Sequence, residues 1–343
     1  MSKTFKKLSV VKKTANFREA VKVVDVPLVP PTDDQILVKV VYAGVNATDI
    51  NITAARYFTD GKLPFDIGLE ALGLIEAIGK NVSNFKVGQP VVSFGVTPKA
   101  YSEYLYAKAD ELVPIPSIKP EFLSLFVCGL TATTGLDEAG RIKSGEKVLI
   151  TASAGGTGHI AVQWAKQKGC YVIGMTSSTE KAKLLKELGT DRVINYKTEN
   201  LDEVLTKEFP NGIDVIWETI GGKTYETLFN HLAPKGRLVI VGGITGYQTE
   251  GFLDIQIPNL NTKLLMGNKS LTGYILSGFN HLFPEYLTKL IGDVVNNKLK
   301  IVIDLGQNTT EGEFKGIDGV VRGVEHLHSG RNIGKVIIKI QDH

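Results

Sequence analysis

The segment that most constrains this chain runs Lys147-Val148-Leu149-Ile150-Thr151-Ala152-Ser153-Ala154-Gly155-Gly156-Thr157-Gly158-His159-Ile160-Ala161. A run of branched apolar residues, read as a strand from Lys147 to Ala152, enters a glycine-rich turn. The turn passes directly into a helical pattern, read from Gly158 to Lys168. Gly156, Gly158 and Ala161 fall in the G-x-G-x-x-A spacing. In that spacing the first glycine permits the tight turn, the second lets backbone approach a pyrophosphate, and the small residue lets the helix pack close on its sheet. A helix N-terminus there offers N–H groups and a positive dipole end to the anion. With both flanks correct, the segment reads as a dinucleotide cradle whose contact residues are Gly155, Gly156, Thr157 and Gly158.

The surrounding texture fits. Tyr171 to Thr176, Arg192 to Tyr196, Ile213 to Trp217 and Arg237 to Gly242 read as further strands, with helices at Glu180 to Leu188 and about Leu282 to Asn297. Strands separated by helix-length segments imply a parallel, doubly wound sheet, because parallel neighbours cannot be joined by a tight turn. Residues 5 to about 115 have a β texture instead, with short apolar runs such as Ile36 to Tyr42 and Gly73 to Ile78 between Gly, Pro, Asn and Asp. The same texture returns in Gly334 to Ile340, a tail expected to pack back on the first domain. The fold class is therefore α/β in two domains, which suits 343 residues.

Composition excludes several functions. The 43% hydrophobic and 22% charged content belongs to a globular chain, and a net charge of +3 is too small to suggest nucleic acid as partner. No apolar run approaches the roughly 20 residues of a membrane span. Two cysteines, Cys128 and Cys170, exclude a disulfide framework. The basic start of the chain (Lys3, Lys6, Lys7, Lys12, Lys13, Arg18) reads as an opening strand with solvated lysines and not as a transit peptide. The end, Gln341-Asp342-His343, is not a Ser-Lys-Leu type address, so cytoplasm is expected over peroxisome.

Which dinucleotide is bound is decided at the end of the second strand, where an NAD site places Asp or Glu on the ribose hydroxyls. Here the residues are Met175-Thr176-Ser177-Ser178, without an acid, and Lys181 follows one helical turn later. Tyr196 ends the third strand. Ser177, Lys181 and Tyr196 suit a 2′-phosphate, so the cofactor is read as NADPH. Alone, Lys181 would read as a solvated helix residue; the missing acid decides.

Beyond the cradle, several segments are similar to one family. They are Ala152 to Gly158, Gly44-Val45-Asn46-Ala47-Thr48-Asp49-Ile50, Phe65-Asp66-Ile67-Gly68-Leu69-Glu70, Ile194 to Glu199, Gly246-Tyr247-Gln248-Thr249 and Arg331-Asn332-Ile333-Gly334-Lys335. Together they resemble the quinone oxidoreductase and prostaglandin reductase branch of the medium-chain dehydrogenase/reductase superfamily. The resemblance implies a GroES-like catalytic domain over 1–128 and 305–343 and an NADPH-binding Rossmann domain over 129–304. It implies cofactor contacts at Thr219, Val241, Tyr247, Tyr274, Ile275, Leu276 and Asn332, with the cofactor in a cleft between the domains. It also implies a homodimer through the edge of the cofactor-domain sheet.

The zinc enzymes of that superfamily use Cys, His and Cys as catalytic ligands. Asn46 stands where the first Cys would, Leu69 where the His would, and Cys128 alone remains; the six His residues lack ligand spacing. No metal is expected, which removes the Lewis acid that alcohol oxidation needs. Hydride delivery to the β-carbon of an enone demands less, since hydrogen-bond donors can hold the developing enolate. The resemblance implies a 15-oxoprostaglandin 13-reductase-like activity, on a small apolar enone or quinone. Tyr247 is the first candidate donor, with Asn46 and Tyr57 next. A quinone reductase and a non-enzymatic NADPH-binding redox sensor would share the cofactor motifs.

Overall fold

A computed structural model describes residues 3–95, 98–249 and 257–343. The chain divides into two compact units, Met1–Val127 with Ile303–His343, and Cys128–Val302.

The first unit is a curled β structure. Its central strand, Ile36–Gly44, pairs antiparallel with Glu70–Ile78, Tyr104–Ala107 and the late strand Lys335–Lys339. That strand is buried along most of its length, so both faces carry apolar residues where an exposed sheet would alternate. Gly73 is required in its partner Glu70–Ile78: a Cβ there would run into the carbonyl of Lys39 on the central strand. Thr4–Val10 lies between Val21–Pro27 and Phe65–Asp66. It buries Phe5 and the run Leu8 to Val10 and leaves Lys6 exposed, while Lys7 is half-buried and paired with Asp66 at 2.7 Å, so burial along it does not alternate.

The second unit holds a parallel sheet. Among the described residues its strand order is Arg192–Asn195, Tyr171–Thr176, Lys147–Ile150, Ile213–Glu218, Leu232–Ile240, Ser270–Gly273. In chain order this is 3-2-1-4-5-6, the doubly wound arrangement, whose direction reverses between Lys147–Ile150 and Ile213–Glu218. The core on one face gathers Leu149, Ile173, Ile216, Leu228, Phe229 and Leu238. Helix Gly158–Gln167 buries eight of its residues, from Gly158 through Ala165, an almost continuous apolar face against the sheet.

Two elements differ from the sequence reading. The strand expected at Arg237 to Gly242 begins at Leu232 and ends at Ile240, and the edge strand Ser270–Gly273 was not foreseen. Ser-Leu-Thr-Gly carries little β signal of its own; pairing with Arg237 to Ile240 makes it a strand.

Candidate functional site

The cradle is built by side chains that pin the strand ends together. Ser153, fully buried, donates to the Ile150 carbonyl (2.5 Å) and accepts from the Met175 N–H (2.9 Å), fastening the turn to the neighbouring strand. Thr151 Oγ1 accepts from the Thr219 N–H at 2.9 Å and pairs with its hydroxyl at 2.9 Å, tying the cradle to the far side of the switch point. A Cβ on Gly158 would overlap the Ala152 carbonyl and the Ser153 backbone. The crowding at Gly158 is thus with the chain's own turn, a role the fingerprint alone had given to approach of the pyrophosphate. Thr157 precedes the helix without a side-chain cap.

His159 was read as a scattered histidine. In the structure it is fully buried, with Nδ1 2.9 Å from the Gly155 carbonyl and Nε2 accepting from the Val302 N–H at 3.1 Å. Burial lowers its pKa to about 4, so the ring is neutral and its Nδ1–H braces Gly155.

At the second strand end, Ser178 is the cap of helix Thr179–Glu187, accepting from the Lys181 N–H. Lys181 is buried on its first turn. Tyr196 N–H donates to the Thr176 carbonyl (3.1 Å), which sets its exposed ring beside that strand end. The structure therefore gathers Ser177, Lys181 and Tyr196 at one corner, without an acid among them.

The remaining expected contacts of this unit follow strands four to six. Val241 N–H bonds to Glu218 O, and Tyr274 N–H to Ile240 O. Tyr247 ends the short helix Ile244–Tyr247, nearly buried, and its hydroxyl oxygen accepts the Gly243 N–H at 3.2 Å. Tyr274 turns its hydroxyl to Thr134 (2.7 Å) and stacks on Phe279 at 5.2 Å; burial pushes its pKa to about 12. It acts as a wall. Ile275 beyond it is exposed and Leu276 is half-buried.

In the first unit, Asn46 is held from several sides. Its Oδ1 accepts from Lys335 Nζ at 2.6 Å, and its amide hydrogens go to Glu70 Oε1 (3.1 Å) and the Gly44 carbonyl (3.4 Å). Lys335 Nζ lies 2.5 Å from Glu70 Oε1, with both side chains buried, and Glu70 Oε2 accepts the Val127 N–H. Gly44 leaves the room: a Cβ there would overlap the Glu70 carboxylate. Alongside, Asp49 accepts from the Asn46 N–H (2.9 Å) and the Tyr101 hydroxyl (2.5 Å). Burial raises the Asp49 pKa to about 7 against those hydrogen bonds.

In this arrangement the Asn46 amide group is directed to Glu70 and Gly44 and its carbonyl to Lys335, so it braces the turn. An amide and a leucine stand at two ligand positions, and the Lys335 ammonium sits against Asn46 and Glu70. The donor set does not fit zinc. Among the described residues no group of three or more His, Cys, Asp or Glu gathers as a metal site.

Tyr57 lies on the loop after the short helix Asp49–Thr53. Its hydroxyl accepts from Asn51 Nδ2 (2.8 Å) and pairs with Thr48, while Arg56 Nη1 donates to Asn51 Oδ1 (2.7 Å). Ala55 and Phe58 on either side have φ of 55° and 61°, a conformation that costs non-glycine residues energy. Asn332 lies in the same unit and donates to the Gly334 carbonyl at 3.0 Å. Sequence reasoning missed Lys335, Asp49, Tyr101 and Glu218 as site-shaping groups; Lys335 and Glu70 were on the page only as parts of matching motifs.

Fold and site define a GroES-like β domain joined to a doubly wound dinucleotide-binding domain. Family models match accordingly: an alcohol dehydrogenase GroES-like domain over residues 32–117 and a zinc-binding dehydrogenase over 156–292. Prostaglandin reductase-3 of Mus musculus is 41% identical over 98% of this chain and 90% of its own length. A probable quinone oxidoreductase of Leishmania amazonensis is 41% identical over 98% of both. The structure of Escherichia coli quinone oxidoreductase complexed with NADPH superposes with a TM-score of 0.82 at 25% identity, covering 97% of this chain and 99% of that one. The chain belongs to the medium-chain dehydrogenase/reductase superfamily of oxidoreductases, among its prostaglandin reductase and quinone oxidoreductase relatives.

Proposed function

We propose that this chain is an NADPH-dependent reductase that saturates the carbon–carbon double bond of α,β-unsaturated ketones of the 15-oxoprostaglandin type, without zinc. The observation that carries the reading is a dinucleotide cradle whose second strand ends without an acid, together with Asn46 and Leu69 at two ligand positions and Asn46 bonded to the Lys335 ammonium. Gly155 to Gly158 would hold the pyrophosphate, and Ser177, Lys181 and Tyr196 the 2′-phosphate. NADPH supplies the hydride. The chain's own part is to bind and orient, and to place a hydroxyl donor where charge develops on the carbonyl oxygen. Tyr247 and Tyr57 are the candidate donors: the Tyr247 hydroxyl accepts the Gly243 N–H, and the Tyr57 hydroxyl accepts from Asn51 and pairs with Thr48. Prostaglandin reductase and quinone oxidoreductase relatives are equally identical to this chain, so quinone reduction is the second reading.

The test is a panel of enones, quinones and alcohols followed by NADPH consumption, with products identified by mass spectrometry under anaerobic conditions. Saturated ketone from the enones supports the proposal. Semiquinone formation, with the enones untouched, supports the second reading. NADPH binding with no turnover of any substrate would make the chain a sensor.

A further inference from the structure

Glu218 ends the fourth strand with its carboxylate fully buried. Its Oε1 accepts the N–H groups of Ile220 (2.8 Å) and Gly221 (3.0 Å), and Oε2 takes the Gly221 N–H at 3.1 Å. The three-residue turn closed in this way carries two outward attachments. On one side the Thr219 N–H donates to Thr151 Oγ1 at the mouth of the cradle. On the other, the Thr219 carbonyl accepts from Ile244 N–H (3.0 Å), and the Ile220 carbonyl accepts from both the N–H (3.1 Å) and the hydroxyl (2.7 Å) of Thr245. Ile244 and Thr245 begin the helix that ends in Tyr247. One turn, pinned from inside, thus links the cradle strand to the helix of the candidate donor. Gly221 has φ of 80° and caps the next helix with no side chain, and the N–H groups of Ile220 and Gly221 have the carboxylate as their partner.

We propose that Glu218 is a positioning residue for the dinucleotide: without touching it, the carboxylate clasps residues 219–221 so that Thr219 stays bonded to Thr151. This rests on the dinucleotide reading of the cradle. Burying a carboxylate is costly, and the backbone N–H groups repay only part of that cost. Burial accordingly raises its pKa to about 7. Tyr225, on the helix that follows, is the titratable side chain facing it, and its own pKa is pushed to about 12, first by burial and then by Glu218. The ionised carboxylate accepts all three contacts. Once protonated on Oε2, the carboxyl keeps both N–H groups on Oε1 but loses the second Gly221 contact and the strength a charged acceptor gives the other two. The clasp is therefore tight above neutrality and loosens below it.

The experiment is binding of NADH from about pH 6 to about pH 8.5, because the 2′-phosphate of NADPH ionises near pH 6 and would add its own slope. The wild-type chain should bind NADH about tenfold more tightly at the upper end, the scale of one charge-assisted hydrogen bond. Glu218→Gln should be weak and flat, with KM for NADH raised and kcat nearly kept. Should that variant not fold, amide exchange in the wild-type chain decides, with Ile220 and Gly221 losing protection as pH falls. A Glu218→Gln curve that matches wild type in level and slope overturns the inference, as does equal protection of both amides across the range. A folded wild-type chain that binds neither dinucleotide overturns the cofactor reading, and the inference with it.

Discussion

Replacing Lys335 by methionine would strand the Glu70 carboxylate in a site where its side chain is fully buried. The cost can be bounded. A stranded carboxylate escapes by taking up a proton, and neutralising an ordinary glutamate at pH 7 costs about 1.4 kcal/mol for each of roughly 2.7 pH units, or about 3.7 kcal/mol. That falls within the roughly 3–5 kcal/mol typical of removing one partner from a buried pair. Asn46 Oδ1 loses its 2.6 Å donor as well. At about pH 5 the same escape should cost only about 1 kcal/mol, so the defect should shrink on acidification. Urea unfolding at both pH values, on Lys335→Met, Glu70→Gln and the double variant, measures this. The double variant should recover most of the loss, since neither charge is left without its partner. Additive losses, or a Lys335→Met defect below about 1 kcal/mol at pH 7, would refute the coupled-pair argument.

Lys181→Ala should weaken NADPH by about 1–2 kcal/mol and leave NADH nearly unchanged, as for one charge-assisted contact to phosphate; equal losses in a titration of both cofactors would make Lys181 a packing residue. Tyr247→Phe and Tyr57→Phe remove one hydroxyl each, and the variant lacking the donor should lose ~10²–10³ in kcat on enones with NADPH affinity kept. If steady-state rates survive in both, neither tyrosine stabilises the enolate. Asp49 has its folded pKa raised from an ordinary carboxyl value to about 7, so the folded state prefers it protonated. Its contribution is present at low pH and is lost as pH rises to that value. The thermal midpoint of the wild-type chain should therefore fall between about pH 4 and pH 7 and level off above that. Asp49→Asn, which carries no such proton, should fall less; equal slopes in the two scans would remove Asp49 from the account.

The cradle was legible because everything it needs is contiguous: strand, turn, glycines and helix lie within Lys147 to Ala161, and hydrophobic period and glycine spacing are local quantities. The acid-free second strand end was legible for the same reason. The parallel sheet followed from alternation of strand and helix, although the edge strand Ser270–Gly273 did not, since its identity comes from the neighbour it pairs with. The sequence also showed that two zinc ligands are replaced, by Asn46 and Leu69. What Asn46 meets was decided by folding alone. Lys335 reaches Asn46 across 289 residues of chain, through the antiparallel pairing of Lys335–Lys339 with Ile36–Gly44. Propensity and spacing act over a few residues, whereas burial and Coulomb attraction act on whatever the topology brings together. Hence Asn46, a plausible donor in a list of residues, becomes a brace in the structure. For the same reason Glu218, one carboxylate among many in the sequence, becomes the clasp of the turn between Thr151 and Tyr247.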